Sequence, residues 1–268
     1  MKKIHKVYAW LSCLLMLSMS SSAFAQENST SSDSTEIENK EQIDLTPSIG
    51  KKDYDYLGEE IKFPRVFGGL TISRIDWGFS RLIDDGSFTL SEGNNFLKYK
   101  KASNFGFDIA QFGVRFNDKF KTYVSAGFEW NYLRLKQNII LDTEATPLAY
   151  TESDITYKKN IFTSTYLRVP LTFEFRTKKN EHGDRGKIAV GAMTGILLKG
   201  TQRLKSEQEG KQKYKDNYNL ASFQYGLFTR VGFDKFGVFA KYYLNDVFEN
   251  SPNQEGVNNF TFGVTLGF

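Results

Sequence analysis

Residues 258–268 read NNFTFGVTLGF. Phe260, Phe262, Val264, Leu266 and Phe268 share one parity, and Thr261, Gly263, Thr265 and Gly267 share the other. Strict two-residue alternation marks a strand with one apolar face and one polar or small face. A water-soluble sandwich and a membrane barrel both use such strands, so the decision falls to the remainder of the chain.

Seven further segments repeat the pattern: RVFGGLTISRIDWGF (65–79), NFGFDIAQFGVRF (104–116), FKTYVSAGFEWNYLRL (120–135), IFTSTYLRVPLTFEFR (161–176), KIAVGAMTGILLKG (187–200), LASFQYGLFTRVGF (220–233) and FGVFAKYYLN (236–245). Each reaches the roughly 9–11 residues that a tilted strand needs to cross a bilayer, whereas strands of soluble domains average about 5–6. The first two switch parity near Ser73-Arg74 and near Ala110-Gln111, which predicts bulges. The connections alternate in length. Short joints lie at 117–119, 177–186 and 234–235, and long ones at 80–103, 136–160, 201–219 and 246–257. Tight turns on one side and longer loops on the other are the habit of outer-membrane barrels. An even strand number then puts both ends of the barrel on the short-turn, periplasmic side.

The parities assign the two faces. In 220–233, Phe223, Tyr225, Leu227, Val231 and Phe233 alternate with Ser222, Gln224, Gly226, Arg230 and Gly232. The apolar row is expected to face lipid and the polar row the lumen. Aromatic belts are expected at Phe116, Phe120, Phe175, Phe233, Phe236 and Phe268 on the inner side. On the outer side they are expected at Trp77, Phe79, Phe105, Trp130, Tyr132 and Phe162. A sheet in lipid must close on itself to satisfy its backbone, so the last strand is expected to zip onto the first. Phe268, a terminal aromatic after an alternating strand, is similar to the signal that barrel-assembly machinery reads. The fold class expected is therefore all-β: an eight-stranded antiparallel up-and-down transmembrane β-barrel over 63–268.

The remaining sequence supports an envelope location. Residues 1–25 carry Lys2, Lys3 and Lys6, an apolar stretch from Val7 to Met19 and an Ala23-Phe24-Ala25 ending, the pattern of a cleaved signal peptide. Residues 26–62 are dominated by Ser, Thr, Glu and Asp and read as a disordered periplasmic linker. The single cysteine, Cys13, lies within the signal segment, so the mature chain has no disulfide, thiolate metal site or cysteine nucleophile. The formal charge of +4 falls close to neutrality once the three N-terminal lysines are removed, which excludes a global case for nucleic-acid binding.

The segment STYLRVPLTFEF (164–175) resembles the hallmark strand of the PorT-type outer-membrane β-barrel family of Bacteroidetes, a Tyr-Leu-x-[Ile/Val]-Pro-Leu core matched by Tyr166, Leu167, Val169, Pro170 and Leu171. YVSAGFEWNYLRL (123–135) and FGVFAKYYLNDVF (236–248) resemble flanking strands of that family. The resemblance implies an outer-membrane barrel and allows an accessory role in protein secretion. Pro170 lacks the N–H of a ladder residue, so a missing bond or bulge is expected there.

The sequence bears on three functional classes. An enzyme needs a base, and the mature chain's one histidine, His182, falls in a short turn. A pore needs an open lumen, yet eight strands enclose a space only just filled by side chains. The inward row places Arg115, Glu129, Arg168, Glu174, Arg230 and Lys241 in that lumen. Pairs Glu129–Arg168 and Glu174–Arg230 are expected, because an unpaired buried charge costs several kcal/mol. The Lys-rich stretch 201–219 reads as a solvated loop, with anionic lipopolysaccharide or a protein as the binding alternative. The sequence thus points to a non-enzymatic structural or interaction barrel without cofactor or metal, with a small channel as the alternative. Its expected partners are outer-membrane lipid and lipopolysaccharide, the assembly machinery, and an envelope or secretion protein.

Overall fold

A computed structural model describes residues 63–267. The expected signal peptide at 1–25, the expected linker at 26–62 and Phe268 lie outside the described residues. The strands are β1 (Arg65–Asp84), β2 (Leu97–Arg115), β3 (Phe120–Leu135), β4 (Ile139–Leu141), β5 (Tyr150–Glu152), β6 (Lys159–Arg176), β7 (Gly186–Lys205), β8 (Lys211–Asp216), β9 (Phe223–Phe233), β10 (Phe236–Tyr243) and β11 (Val257–Leu266). Eight of them form a closed antiparallel ring in the order β1-β2-β3-β6-β7-β9-β10-β11. The seam runs from Val257 opposite Asp84 to Leu266 opposite Ile75, so the final strand pairs with the first.

The two parity switches are bulges in the ladder, one between Leu70 and Arg74 on β1 and one between Asp108 and Ala110 on β2. Below the first bulge Val66, Leu70 and Ile72 point outward; above it Trp77 and Phe79 do. At Pro170 the ladder between β3 and β6 lapses: Val124 pairs with Leu171 and Gly127 with Arg168, with no pairs between them. No residue is inserted, so the missing proline N–H costs ladder bonds and leaves the register intact.

Exposed apolar side chains ring the barrel, among them Leu171, Phe173, Ile188, Val190, Leu227, Val231, Val238, Phe262 and Val264. Phe116, Phe175, Phe233 and Phe236 are exposed at the short-turn end, and Trp77 and Phe79 toward the long-loop end. Phe105, Phe107, Phe128 and Trp130 form an aromatic group on the outer wall, with Phe107 and Trp130 centroids 5.6 Å apart.

Two expectations need correction. Phe162 is not a belt residue. It shares parity with Tyr166 and Arg168, points inward and is 1% exposed. The long connections are also largely structured. β1, β2, β6 and β7 extend beyond the apolar band, and 201–219 forms a β7–β8 hairpin that continues the wall. The segment between β3 and β6 contributes the β4–β5 hairpin.

These extensions enclose the main apolar core, which lies at the long-loop end and not at barrel mid-height. It contains Leu82, Phe96, Leu133, Ile139, Leu141, Leu148, Phe162, Tyr218, Leu220, Phe248 and Val257. Phe162 packs edge-on against Tyr218 at 5.2 Å and stacks with Phe248 at 6.4 Å. Polar side chains knit the loops across this core. Leu141 N–H donates to Gln202 Oε1 (3.0 Å), and Asn160 Nδ2 donates to the Lys136 and Ile139 carbonyls (both 2.7 Å). Asn219 Nδ2 donates to the Ala145 carbonyl (2.9 Å), and Leu148 N–H to Ser251 Oγ (3.0 Å).

Phe162→Ala is expected to lower the free energy of opening this cap by about 3–5 kcal/mol. Hydrogen exchange should show faster exchange of cap amides while the amides shared by β9 and β10 are unaffected; uniform acceleration would mean the cap is not a separate unit.

Candidate functional site

Alternation carries the polar row of each strand into the barrel, where it meets the rows of strands far away in sequence. The interior is built in layers along the barrel axis.

The central layer is a charge network about Asp76 of β1. Its Oδ2 accepts from Arg168 Nη1 of β6 (2.9 Å) and Arg230 Nη2 of β9 (3.1 Å), and pairs with Lys241 Nζ of β10 (3.0 Å). Its Oδ1 accepts from Thr265 of β11 (2.8 Å). Glu129 of β3 accepts from Lys241 (2.9 Å), Arg168 (3.2 Å) and the Tyr243 hydroxyl. Asp108 of β2 holds Arg168 Nε at 2.9 Å and Arg74 Nη1 at 3.2 Å. Arg168 therefore touches three carboxylates, and Gly106 makes room for it: a Cβ there would lie 2.5 Å from Arg168 Nη1. Arg230 finds no acceptor for Nε or Nη1 among the described residues, but its guanidinium lies 4.3 Å from the Phe228 ring centroid. That contact recovers part of the lost solvation.

Toward the short turns, Arg74 donates to the Tyr123 hydroxyl (2.6 Å), which donates to Glu174 (3.0 Å). Glu174 also pairs with Lys121 at 3.2 Å and Arg176 at 2.7 Å. The expected Glu174–Arg230 pair is not formed. Glu174 is held by cations of its own end, while Arg230 is drawn to Asp76. Toward the loops the charges give way to neutral groups. Asn131 Oδ1 accepts from Asn104 (2.8 Å) and Asn259 (3.3 Å), and Ser80 lies 3.2 Å from Thr261. The apolar cap lies above them.

Among the residues singled out from sequence, Glu129, Arg168, Glu174, Arg230 and Lys241 are buried inside the barrel. Arg115 sits at the rim. As the last residue of β2 it keeps 15% side-chain exposure and reaches Asp118 in the turn at 3.5 Å. Sequence reasoning missed Asp76, Asp108 and Arg74. The signal was available. Past the β1 bulge Arg74, Asp76, Gly78 and Ser80 form the inward row, and on β2 Asn104, Gly106 and Asp108 do the same. Counting parity from the wrong side of a bulge hides them.

Dryness decides what the interior can do. Asp76, Asp108, Glu129, Thr172, Thr261 and Thr265 are all 0% exposed. Arg74, Arg168, Arg230 and Lys241 lie among Asp76, Asp108 and Glu129, and Glu174 is paired with Lys121 and Arg176, so each of these four carboxylates has a cation within 3.2 Å. His182 takes no part in this network; it is exposed in the turn after β6, with its backbone N–H on Asn180 Oδ1 at 3.0 Å. Among the described residues, no group of three or more His, Cys, Asp or Glu is placed to hold a metal ion.

A closed ring with an apolar exterior and an ion-paired, filled interior defines a transmembrane β-barrel. A family model described as outer membrane protein beta-barrel domain matches residues 65–249. The chain belongs to that family, and its barrel is one of the bacterial outer membrane. Among solved structures, the chain is similar to Ail, the attachment invasion locus protein of Yersinia pestis, crystallised with the heparin analogue sucrose octasulfate. The identity is 14% and the TM-score 0.29, over 72% of this chain and 94% of that one. Comparison with curated proteins finds no match.

Removing one member of the network leaves buried cations short of a partner, at a cost of about 3–5 kcal/mol. Asp76→Asn is expected to lower the temperature at which the folded barrel loses its heat-modifiable gel mobility, and by more than Glu129→Gln, because Asp76 serves three cations and Glu129 two. Unchanged mobility in both would remove the pairing argument.

Proposed function

We propose that the protein is a plugged, non-enzymatic barrel that presents a structured cap at the cell surface as an interaction platform. The observation carrying this reading is the sealed interior. A lumen whose carboxylates are fully buried and each matched by cations offers no wet path, and the cap core closes the long-loop end above it. A conducting pore keeps its lining hydrated. The non-enzymatic part rests on the position of His182 in an exposed turn, away from any buried polar cluster.

The orientation we propose puts the long loops outside and both barrel ends in the periplasm, as tight turns and longer loops are distributed in such barrels. An accessory part in protein secretion, with an envelope or secretion protein as partner, is a narrower reading. It rests on the match of Tyr166, Leu167, Val169, Pro170 and Leu171 to the PorT-type hallmark strand. Delivery by the barrel-assembly machinery is the route expected for any such chain.

In planar bilayers the purified barrel is expected to give no stable single-channel openings; reproducible conductance steps would replace the plugged reading with the channel. Orientation has its own test. On intact cells, a membrane-impermeant maleimide should label Lys211→Cys in the β7–β8 hairpin and reach Lys235→Cys in the β9–β10 turn only after permeabilisation. The reverse pattern would invert the assignment.

A further inference from the structure

The outward row of β7 changes character at one point. From the short-turn end it runs Ile188, Val190, Ala192, Thr194, Ile196 and Leu198. A register shift opposite Thr165/Tyr166 follows, and the outward row becomes Lys199, Thr201, Arg203 and Lys205. At the same height β9 leaves β7, whose last partner on it is Phe223, and β8 takes its place. β8 sets Lys215 opposite Thr201, Lys213 opposite Arg203 and Lys211 opposite Lys205. On the other side of β7, Lys159 of β6 lies opposite Lys205.

Like charges directly opposite one another on a sheet repel, and strands lie only about 4.8 Å apart. Here all seven cations are exposed. None makes an ion pair or side-chain hydrogen bond among the described residues. The acids of the hairpin tip are engaged elsewhere, Glu207 with Lys158 and Glu209 with Gln212. Mutual repulsion is visible in the Lys213 ammonium, whose pKa is lowered by Lys215 first and by Arg203 and Lys199 further down. On the opposite seam, the loop-side halves of β1 and β11 carry Phe79, Phe260 and Phe262 instead.

We propose that this face, the outward side of the β7–β8 hairpin together with Lys159, binds the phosphate groups of an outer-leaflet glycolipid. Height and direction select the occupant. The cations stand directly above the apolar band and point sideways, along the continuation of the lipid-facing row. What lies beside them in the membrane is the headgroup layer, while a soluble partner would approach the cap from above. Several phosphates on one headgroup supply the multivalent negative charge that repelling cations need, and long lysine stems reach across the boundary. The inference rests on the proposed orientation, which cysteine labelling tests separately. A correctly oriented barrel without lipid preference would overturn this inference alone.

The test uses the full chain folded in neutral detergent micelles, probed with bisphosphorylated lipid A and with the same lipid stripped of its phosphates. Retention of the phosphorylated lipid is expected to be at least tenfold tighter. The difference should collapse near 1 M salt, where screening acts within about 3 Å, and in Lys205→Gln/Lys211→Gln/Lys213→Gln, with folding verified by gel mobility. Arg203→Gln/Lys213→Gln serves if the triple variant does not fold. Equal retention of the two lipids, or unchanged retention by a folded variant, overturns the proposal. So does tighter binding of a soluble polysulfated polysaccharide than of the phosphorylated lipid, which would assign the face to a soluble polyanion.

Discussion

No backbone amide can remain unpaired in the acyl layer, and the rest of this structure follows from that constraint. An open sheet would expose two edges to hydrocarbon at several kcal/mol per orphaned group, so β11 must return to β1. Eight strands make a narrow ring. A narrow ring has room for side chains and little water, so every polar group carried inward by alternation must find its partner among the others. The charge network is thus imposed on the interior by closure.

Neutralisation is arranged around a few multivalent groups. Asp76 collects Arg168, Arg230 and Lys241, while Arg168 spans Asp76, Asp108 and Glu129. Each cross-link joins strands that are distant in sequence, so the network fixes how the ring is filled as well as its charge. Desolvating eight charges is expensive, and such networks are weak evidence of net stability. Their effect is conditional: once the ring is closed, each member is needed by the others. The apolar core that would stabilise a soluble domain sits in the cap, where strand extensions and loops surround Phe162, Tyr218 and Phe248. The molecule therefore has lipid outside, ions within and an oily core only at its long-loop end.

Much of this was legible in the chain because a period of two is hard to mistake over ten or more residues. The eight wall strands, the closing pair, the short and long joints and both bulges follow from alternation and its interruptions. Three features were not legible, each for a physical reason. Asp76 lies just past one bulge and Asp108 just before the other, where the inward parity flips. Partner choice inside the lumen depends on strand stagger, which alternation does not encode, so parity alone cannot tell that Arg230 meets Asp76 and not Glu174. Lys-rich 201–219 looked like a solvated loop because its alternation sets lysine against Gln212 and Tyr214, a contrast of charged against polar that hydrophobicity does not register. Strand-end aromatics in barrels are expected in belts, whereas the parity of Phe162 with Tyr166 sends it into the cap.

The sealed lumen and the ordered cap together confine where such a protein can act. With the interior occupied by its own charges, the proposed recognition role falls to the outer wall above the apolar band and to the exposed side of the cap. Both are built on hydrogen-bonded strands and cross-linked loops, so a ligand meets side chains whose backbone is already ordered and loses less entropy on binding than it would with free loops. Side-chain choice on that frame is then free to differ around the circumference: aromatic along β1 and β11, cationic along β7 and β8. A barrel that conducts must keep its chemistry in the lumen. This one spends its lumen on neutrality and turns its unpaired charge sideways, toward the membrane that surrounds it.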